Sequence, residues 1–279
     1  MKDQEMRRQI EWMDLLIKCK TRVQQTIKPM LKNLAEPQPN LGIGAGGDPI
    51  KRIDLAAEGA IADVLEEQDV SFTLVSEESG IKRYGSNPGE NFVTTDPIDG
   101  TTNLLRGIPF YATSIAVSTE PTMSTVHTAL VEDLVHCTTY TAEKGKGAHR
   151  NGCRITSSNT ESLKQAVIGI DLNTYKVKEI APRLTNLIQS VRHIRHLGAN
   201  ALEICHVADG TADAFIDIRG KLRTTDIAAA YLITTETDAE MTTPQGKPLE
   251  AELSPTQKIA FIVTANRKIR ENIVDLLEG

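Results

Sequence analysis

The chain has 279 residues, which suits one globular unit of two lobes better than two independent domains. Apolar residues make up 40% and charged residues 24%, enough apolar side chain to offset ordering entropy and exclude wholesale disorder. The net charge of −6 lacks the basic surplus that bulk nucleic-acid binding needs, so no nucleic acid is expected as a partner.

The first expected element is a long amphipathic helix. Ile10, Met13, Leu16, Ile17, Val23, Ile27, Met30 and Leu31 recur at helical spacing, and Pro37 and Pro39 close it. Glycines crowd the next stretch, Gly42 to Gly47, which reads as a mobile loop and a candidate lid. A second helix is expected from Leu55 to Glu67, with Asp54 just before it. Ser71 to Ser76 then reads as a strand, with Glu77 and Glu78 at its end. Asn91 to Asn103 reads as strand, turn and helix start. Ala112–Ser118, Thr125–Asp133 and Val135–Glu143 read as successive antiparallel strands, ended by the turn-rich segment 143–152. A composition change near Asn159 divides the expected lobes, 1–158 with the carboxylate motif and 159–279. In the second lobe strands (166–170, 193–197, 212–218, 258–265) alternate with helices (177–191, 200–208, 226–237 and the tail from 267), the pattern of a layered α/β unit.

The longest uninterrupted apolar run, Ile227 to Ile233, has seven residues. A membrane helix needs about twenty, so no membrane is expected as a partner. The opening residues, MKDQEMRRQIEW, lack the apolar core of a signal peptide. Cys19, Cys137, Cys153 and Cys205 form no C-x-x-C and no evident disulfide framework; they read as reduced thiols of a cytoplasmic protein.

The chemistry concentrates in Asp96-Pro97-Ile98-Asp99-Gly100-Thr101-Thr102-Asn103. Two carboxylates three apart flank a proline that fixes a turn. Gly100 permits a sharp turn or close backbone approach, and Thr101 is a candidate helix cap. A helix start offers N–H groups to an anion such as phosphate. Taken alone, Asp-Pro and Asp-Gly are ordinary turn dipeptides. Further carboxylates in matching contexts, Glu77 after a strand and Asp54 and Asp226 at helix starts, together describe a site for hard cations. Two such ions about 3.5–4 Å apart can clamp the attacking and leaving oxygens of a displaced phosphoryl group. Neither a G-x-x-x-x-G-K-[ST] loop, a G-x-S-x-G elbow nor an H-E-x-x-H pair occurs.

Asp-Pro-Ile-Asp-Gly-Thr-Thr-Asn, preceded by Ser76-Glu77-Glu78-Ser79, resembles the signature of the inositol monophosphatase family of magnesium-dependent sugar phosphatases. Leu197 to Gly220, followed by Thr224 to Ile233, is similar to the family's second signature. Gly46 to Glu58 and Arg106 to Val117 look most like its archaeal-type branch, active on fructose 1,6-bisphosphate and inositol phosphates. The resemblance implies a layered α-β-α-β-α sandwich, an α/β fold of the sugar phosphatase type, and a homodimer. It implies two or three Mg2+ per active site and a phosphorylated sugar or polyol as substrate. Glu77, Asp96 and the Ile98 carbonyl would hold one metal, with Asp96 bridging to a second held by Asp99 and Asp226. Gly100 and Thr101 would donate backbone N–H groups to phosphate, and Thr101 with Asp54 would activate the attacking water. Asp217 falls where relatives contact a sugar hydroxyl, and Arg195 and Arg219 are candidates for a second phosphate. Arg223, Tyr175 and Lys176 read instead as solvated surface.

Thr225 stands where the common signature has Trp, and Asp238-Ala239-Glu240 where relatives carry Ala-Gly-Gly. Two other readings stay open. One is a 3′(2′),5′-bisphosphate nucleotidase or NADP phosphatase of the same family, against which the 4% aromatic content offers few stacking partners for a base. The other is a non-catalytic binding or regulatory protein that keeps the fold, which need not retain every carboxylate.

Overall fold

The computed structural model describes residues 10–33, 41–172 and 176–278. Pro37, Pro39 and Tyr175 lie outside them. Seven α-helices and thirteen strands follow in chain order among the described residues. The chain opens with α1 (Trp12–Met30), α2 (Arg52–Glu67), β1 (Phe72–Ser76), β2 (Gly80–Tyr84), β3 (Phe92–Asp99) and α3 (Thr101–Arg106). It continues through β4 (Ala112–Ser118), β5 (Val126–Asp133), β6 (Thr138–Glu143), β7 (Gly147–Arg150) and β8 (Cys153–Arg154). Then come β9 (Val167–Ile170), α4 (Val177–Ser190), β10 (His193–Arg195), α5 (Asn200–Ala208) and β11 (Ala214–Arg223). The chain ends with α6 (Thr224–Thr235), β12 (Glu240–Thr242), β13 (Lys258–Thr264) and α7 (Arg267–Glu278).

Two sheets result. The first has the order β2-β1-β3-β4-β5-β6-β7-β8 and is antiparallel except where β1 runs parallel to β3. The second, β10-β9-β11-β13-β12, is mixed, with β9 parallel to both β10 and β11. Three apolar cores separate five layers. One joins α1 and α2 to a face of the first sheet through Leu16, Val23, Ile61, Leu65 and Phe72. The middle core sandwiches α5 and α6 between the sheets, and the third packs α4 and α7 on the outer face of the second sheet. The order α-β-α-β-α is the expected one. Because α6 is covered on both sides, it is apolar nearly all round, which explains the long apolar run.

Local differences have physical reasons. The α1 stripe buries Leu15 and Cys19, whereas Ile17 faces solvent. Segment 143–152 is not only turn: Lys144 to Lys146 reverse the chain and β7 pairs back onto β6, with Glu236 accepting the N–H groups of Gly145 (2.7 Å) and Gly147 (2.8 Å). The short edge strands β2, β8 and β12 carry too little alternation to be read from sequence. At the departure from the family pattern, Ala239 is buried and Glu240 begins β12, pairing with Arg270 at 2.9 Å.

A buried carboxylate ties α1 to the sheet. Glu132 of β5 is fully buried and accepts from Lys20 (3.1 Å), Gln24 (2.6 Å) and Thr139 (2.5 Å). Glu132→Ala strands those donors and is expected to cost about 2 kcal/mol, read by urea unfolding.

Candidate active site

The site lies where β1 and β3 end against the starts of α2, α3, α5 and α6. Strand β3 continues through Asp96-Pro97-Ile98-Asp99, so the proline does not fix a turn. Asp96 pairs with Ser114 and Asp99 with Ala112, three steps on one strand against two on the other. The extra residue is a bulge, and Pro97 brings no N–H to the ladder there. Side chains three apart on a regular strand point to opposite faces. The bulge cancels that alternation and turns both carboxylates toward the helix starts.

Glu77, Asp96 and Asp226 offer carboxylate oxygens that all lie within 4.8 Å of one another. Asp96 is buried, and its Oδ1 has no hydrogen-bond partner. Asp226, in the first turn of α6, accepts the N–H of Arg223 (2.9 Å) and the hydroxyl of Thr225 (3.1 Å). Thr225, in the place of the family's Trp, thus braces a cluster carboxylate. Asp99 sits beside the cluster and accepts the N–H groups of Asn200 (2.9 Å) and Ala201 (2.7 Å) at the start of α5. Those bonds draw the first turn of α5 onto the end of β3.

Asp54 lies inside the first turn of α2, not before it, and is 1% exposed. The Thr101 hydroxyl has one proton and two acceptors, Asp54 Oδ1 at 2.9 Å and the Ile98 carbonyl at 2.8 Å. Thr101 is not the cap of α3; Gly100 is, with φ +87°. A Cβ at Gly100 would meet the Gly198 carbonyl at 3.1 Å and the Phe110 carbonyl at 3.2 Å, so neither the conformation nor the space admits a side chain.

The remaining predicted residues stand apart. Asp217 is buried but engaged, accepting from the Arg219 backbone (2.9 Å), Nε (2.9 Å) and Nη2 (2.7 Å). Arg219 Nη2 also pairs with Asp171, so two carboxylates already neutralise this guanidinium. Arg195 is exposed on β10 and lines a cavity of about 320 Å³ together with Leu197, Glu203, His206 and Phe215. Lys176 precedes α4.

Arg223 is not solvated surface. It is only 13% exposed, pairs with Glu77, and reaches Asp226 (3.2 Å) and Asp48 (2.9 Å). Its place three residues before Asp226, at a helix start, was the available signal. The glycine-rich segment also docks here. Its Ala45 and Gly46 N–H groups bond the Glu78 (3.1 Å) and Glu77 (2.7 Å) carbonyls.

Burial sets the protonation of this site. It pushes Asp96 and Glu77 well above the ordinary carboxylate range, reinforced at Glu77 by Asp226 and at Asp96 by Glu77, Asp99 and Asp226, and opposed at both by Arg223. Burial also raises Asp99 and Asp54 to about 7, opposed at Asp99 by the α5 N–H groups and at Asp54 by Thr101. Glu78 is pushed up to about 8 by burial and by Asp54 and Glu58.

A family model described as the inositol monophosphatase family matches residues 12–278. The chain belongs to that family. It is 33% identical over 276 residues, 96% of each chain, to a fructose-1,6-bisphosphatase/inositol-1-monophosphatase of Methanothermobacter thermautotrophicus. It is 32% identical over 287 residues to a bifunctional NADP phosphatase/NAD kinase of Methanococcus maripaludis, covering 96% of this chain and 49% of that longer protein. Among solved structures, an inositol monophosphatase-fructose 1,6 bisphosphatase superposes with a TM-score of 0.83 at 29% identity, covering 96% of this chain and all of the other. As a family member the chain is a phosphatase, and the resemblance expected from its two signatures is the relation found.

The raised carboxylates predict a pH dependence. Asp54 has an ordinary pKa of 3.8 and a folded value of about 7. Between the two the folded chain keeps a proton the unfolded chain has lost. This contribution is complete below the unfolded pKa and is lost as pH rises through about 7. With EDTA present, urea-unfolding stability is expected to fall from about pH 4 to about pH 7, and Asp54→Asn to reduce that slope by up to about 1.4 kcal/mol per pH unit.

Proposed function

We propose that this chain is a magnesium-dependent phosphate monoester hydrolase acting on a sugar or polyol phosphate, with fructose 1,6-bisphosphate and inositol 1-phosphate as its substrates. The observation that carries the reading is the trio Glu77, Asp96 and Asp226 with oxygens within 4.8 Å of one another, together with a buried Asp96 Oδ1 that has no hydrogen-bond partner. An all-oxygen donor set suits a hard cation, and buried, mutually repelling carboxylates need positive charge. Glu77, Asp96 and the Ile98 carbonyl would hold one Mg2+, and Asp96, Asp99 and Asp226 another, with two or three ions per site. Bound there, magnesium supplies positive charge to the phosphoryl oxygens and a water of lowered pKa.

The chain's own residues do the rest. Backbone N–H groups of Gly100 and Thr101 orient the phosphate at the start of α3. Thr101 Oγ1 holds the attacking water and passes a proton toward Asp54 Oδ1, 2.9 Å away. With its pKa raised to about 7, Asp54 is matched to receiving a proton near neutrality. Asp99 keeps the start of α5, and with it the 197–201 turn, against the reacting centre.

A second reading, an NADP phosphatase, is favoured by the 32% identity to the bifunctional Methanococcus protein, close to that of the first relative. Phosphate release from fructose 1,6-bisphosphate, inositol 1-phosphate, NADP and adenosine 3′,5′-bisphosphate, with Mg2+ or EDTA, separates the two. Metal-dependent turnover of the first pair is expected, and preference for the nucleotides would replace the reading. Asp99→Asn is expected to abolish turnover with the circular dichroism spectrum unchanged. Asp54→Asn is expected to lower kcat by about 10²–10⁴-fold. We further take the protein to be a cytoplasmic homodimer. Its four free cysteines suit a reducing compartment, and light scattering at twice the chain mass is the expected result.

A further inference from the structure

Arg223 joins two parts of the molecule. Toward the cluster, its Nη2 pairs with Glu77 and its Nε lies 3.2 Å from Asp226 Oδ1. Toward the glycine-rich segment, its Nη1 donates to the Gly46 carbonyl at 3.0 Å and to Asp48 Oδ2 at 2.9 Å. That segment is a small hairpin, with Ile43 bridged to Pro49 and the Gly44 N–H on the Asp48 carbonyl at 2.8 Å. Gly46 is required for the approach, since a Cβ there would fall on the guanidinium. Backbone bonds from Ala45 and Gly46 to the carbonyls of Glu78 and Glu77 also tie the hairpin to this region.

The guanidinium therefore occupies oxygens of two of the three clustered carboxylates. A divalent cation drawn to the same carboxylates competes for their negative charge, and its own charge repels a guanidinium held beside it. The two are alternatives at one place. Whichever leaves also decides whether Asp48 and the Gly46 carbonyl keep their tether.

We propose that Arg223 is the cluster's built-in counter-ion, that a divalent cation displaces its guanidinium, and that this exchange releases the 42–50 hairpin. Cation loading and hairpin position then form one equilibrium with a reciprocal coupling. The inference rests on the reading of the cluster as a metal site. It goes beyond that reading by giving the chain a residue that competes with the metal and reports its arrival to a loop.

The test uses Mg2+ titration by calorimetry together with hydrogen exchange of the 42–50 amides, on wild type, Arg223→Gln and Asp48→Asn. In wild type, Mg2+ is expected to speed exchange of the Ala45 and Gly46 amides by about tenfold or more. Arg223→Gln is expected to bind Mg2+ about tenfold more tightly, with a hairpin that exchanges rapidly even in EDTA. Asp48→Asn removes only the tether on the hairpin side. It is expected to speed exchange in EDTA and, by reciprocity, to raise Mg2+ affinity by about threefold to fivefold. Should Arg223→Gln fail to fold, Asp48→Asn carries the test. Mg2+ binding to wild type with unchanged hairpin exchange, or with unchanged affinity in the folded variants, overturns the exchange and leaves the metal site standing. Failure of wild type to bind Mg2+ overturns both.

Discussion

Glu77, Asp96, Asp99 and Asp226 bring up to four negative charges into a space that water barely reaches, and the architecture around them answers that electrostatic load. Asp96 is 5% exposed, Asp99 3% and Asp226 3%. Removing an ion from water costs several kcal/mol unless opposite charge or hydrogen bonds compensate. The protein compensates in three ways. It aims helix starts at the site, it places Arg223 among the carboxylates, and it lets Glu77, Asp96 and Asp99 retain protons above the ordinary carboxylate range. Holding Asp54 ionised above about pH 7 costs on the order of 4 kcal/mol, a large share of a domain's whole stability.

The layered fold makes that concentration possible. The helix pair α5 and α6 is covered by a sheet on each side, so their first turns are brought to the ends of strands from the first sheet. Asp99 of β3 binds the start of α5, while Asp226 comes from the start of α6 and joins carboxylates from β3 and from the end of β1. Neither sheet alone holds the set. The bulge at Pro97 and Ile98 is the local device on which this depends, because a regular strand would send Asp96 and Asp99 to opposite faces.

How far the molecule was legible in its sequence follows from the range of each determinant. The long helices and central strands announce themselves by periodicity, which is local, and the five layers follow from them together with the family signatures. Carboxylates at strand ends and helix starts were readable as candidate donors, and the fold brings Glu77, Asp96 and Asp226 together. What stayed hidden depends on contacts distant in sequence. Arg223 meets Asp48 across 175 positions, and Asp99 meets Ala201 across 102. Arg223's place three residues before Asp226 was readable, but its partners Glu77 and Asp48 were not, and nothing local distinguishes Arg219 from a phosphate ligand until Asp171 and Asp217 are found closed around it. The bulge was hidden for a different reason: Asp-Pro and Asp-Gly are turn dipeptides, and here pairing with β4 overrides that preference.

The same accounting explains why a phosphatase site of this kind resists being optimised for stability. Replacing one carboxylate by an amide would relieve repulsion and desolvation at once, and the metal-free fold would gain. On the proposed reading of the cluster as a metal site, that cost is offset when cations bind the folded state, which returns stability as RT ln(1 + [L]/Kd). Arg223 bridges the interval. It supplies positive charge among the carboxylates from a flexible side chain anchored at the start of α6, where the Arg223 N–H bonds Asp226. A lysine would supply the same charge but not the planar fork that reaches Glu77, Asp226 and Asp48 together. The geometry of the guanidinium, more than its charge, is what couples the cluster to the hairpin.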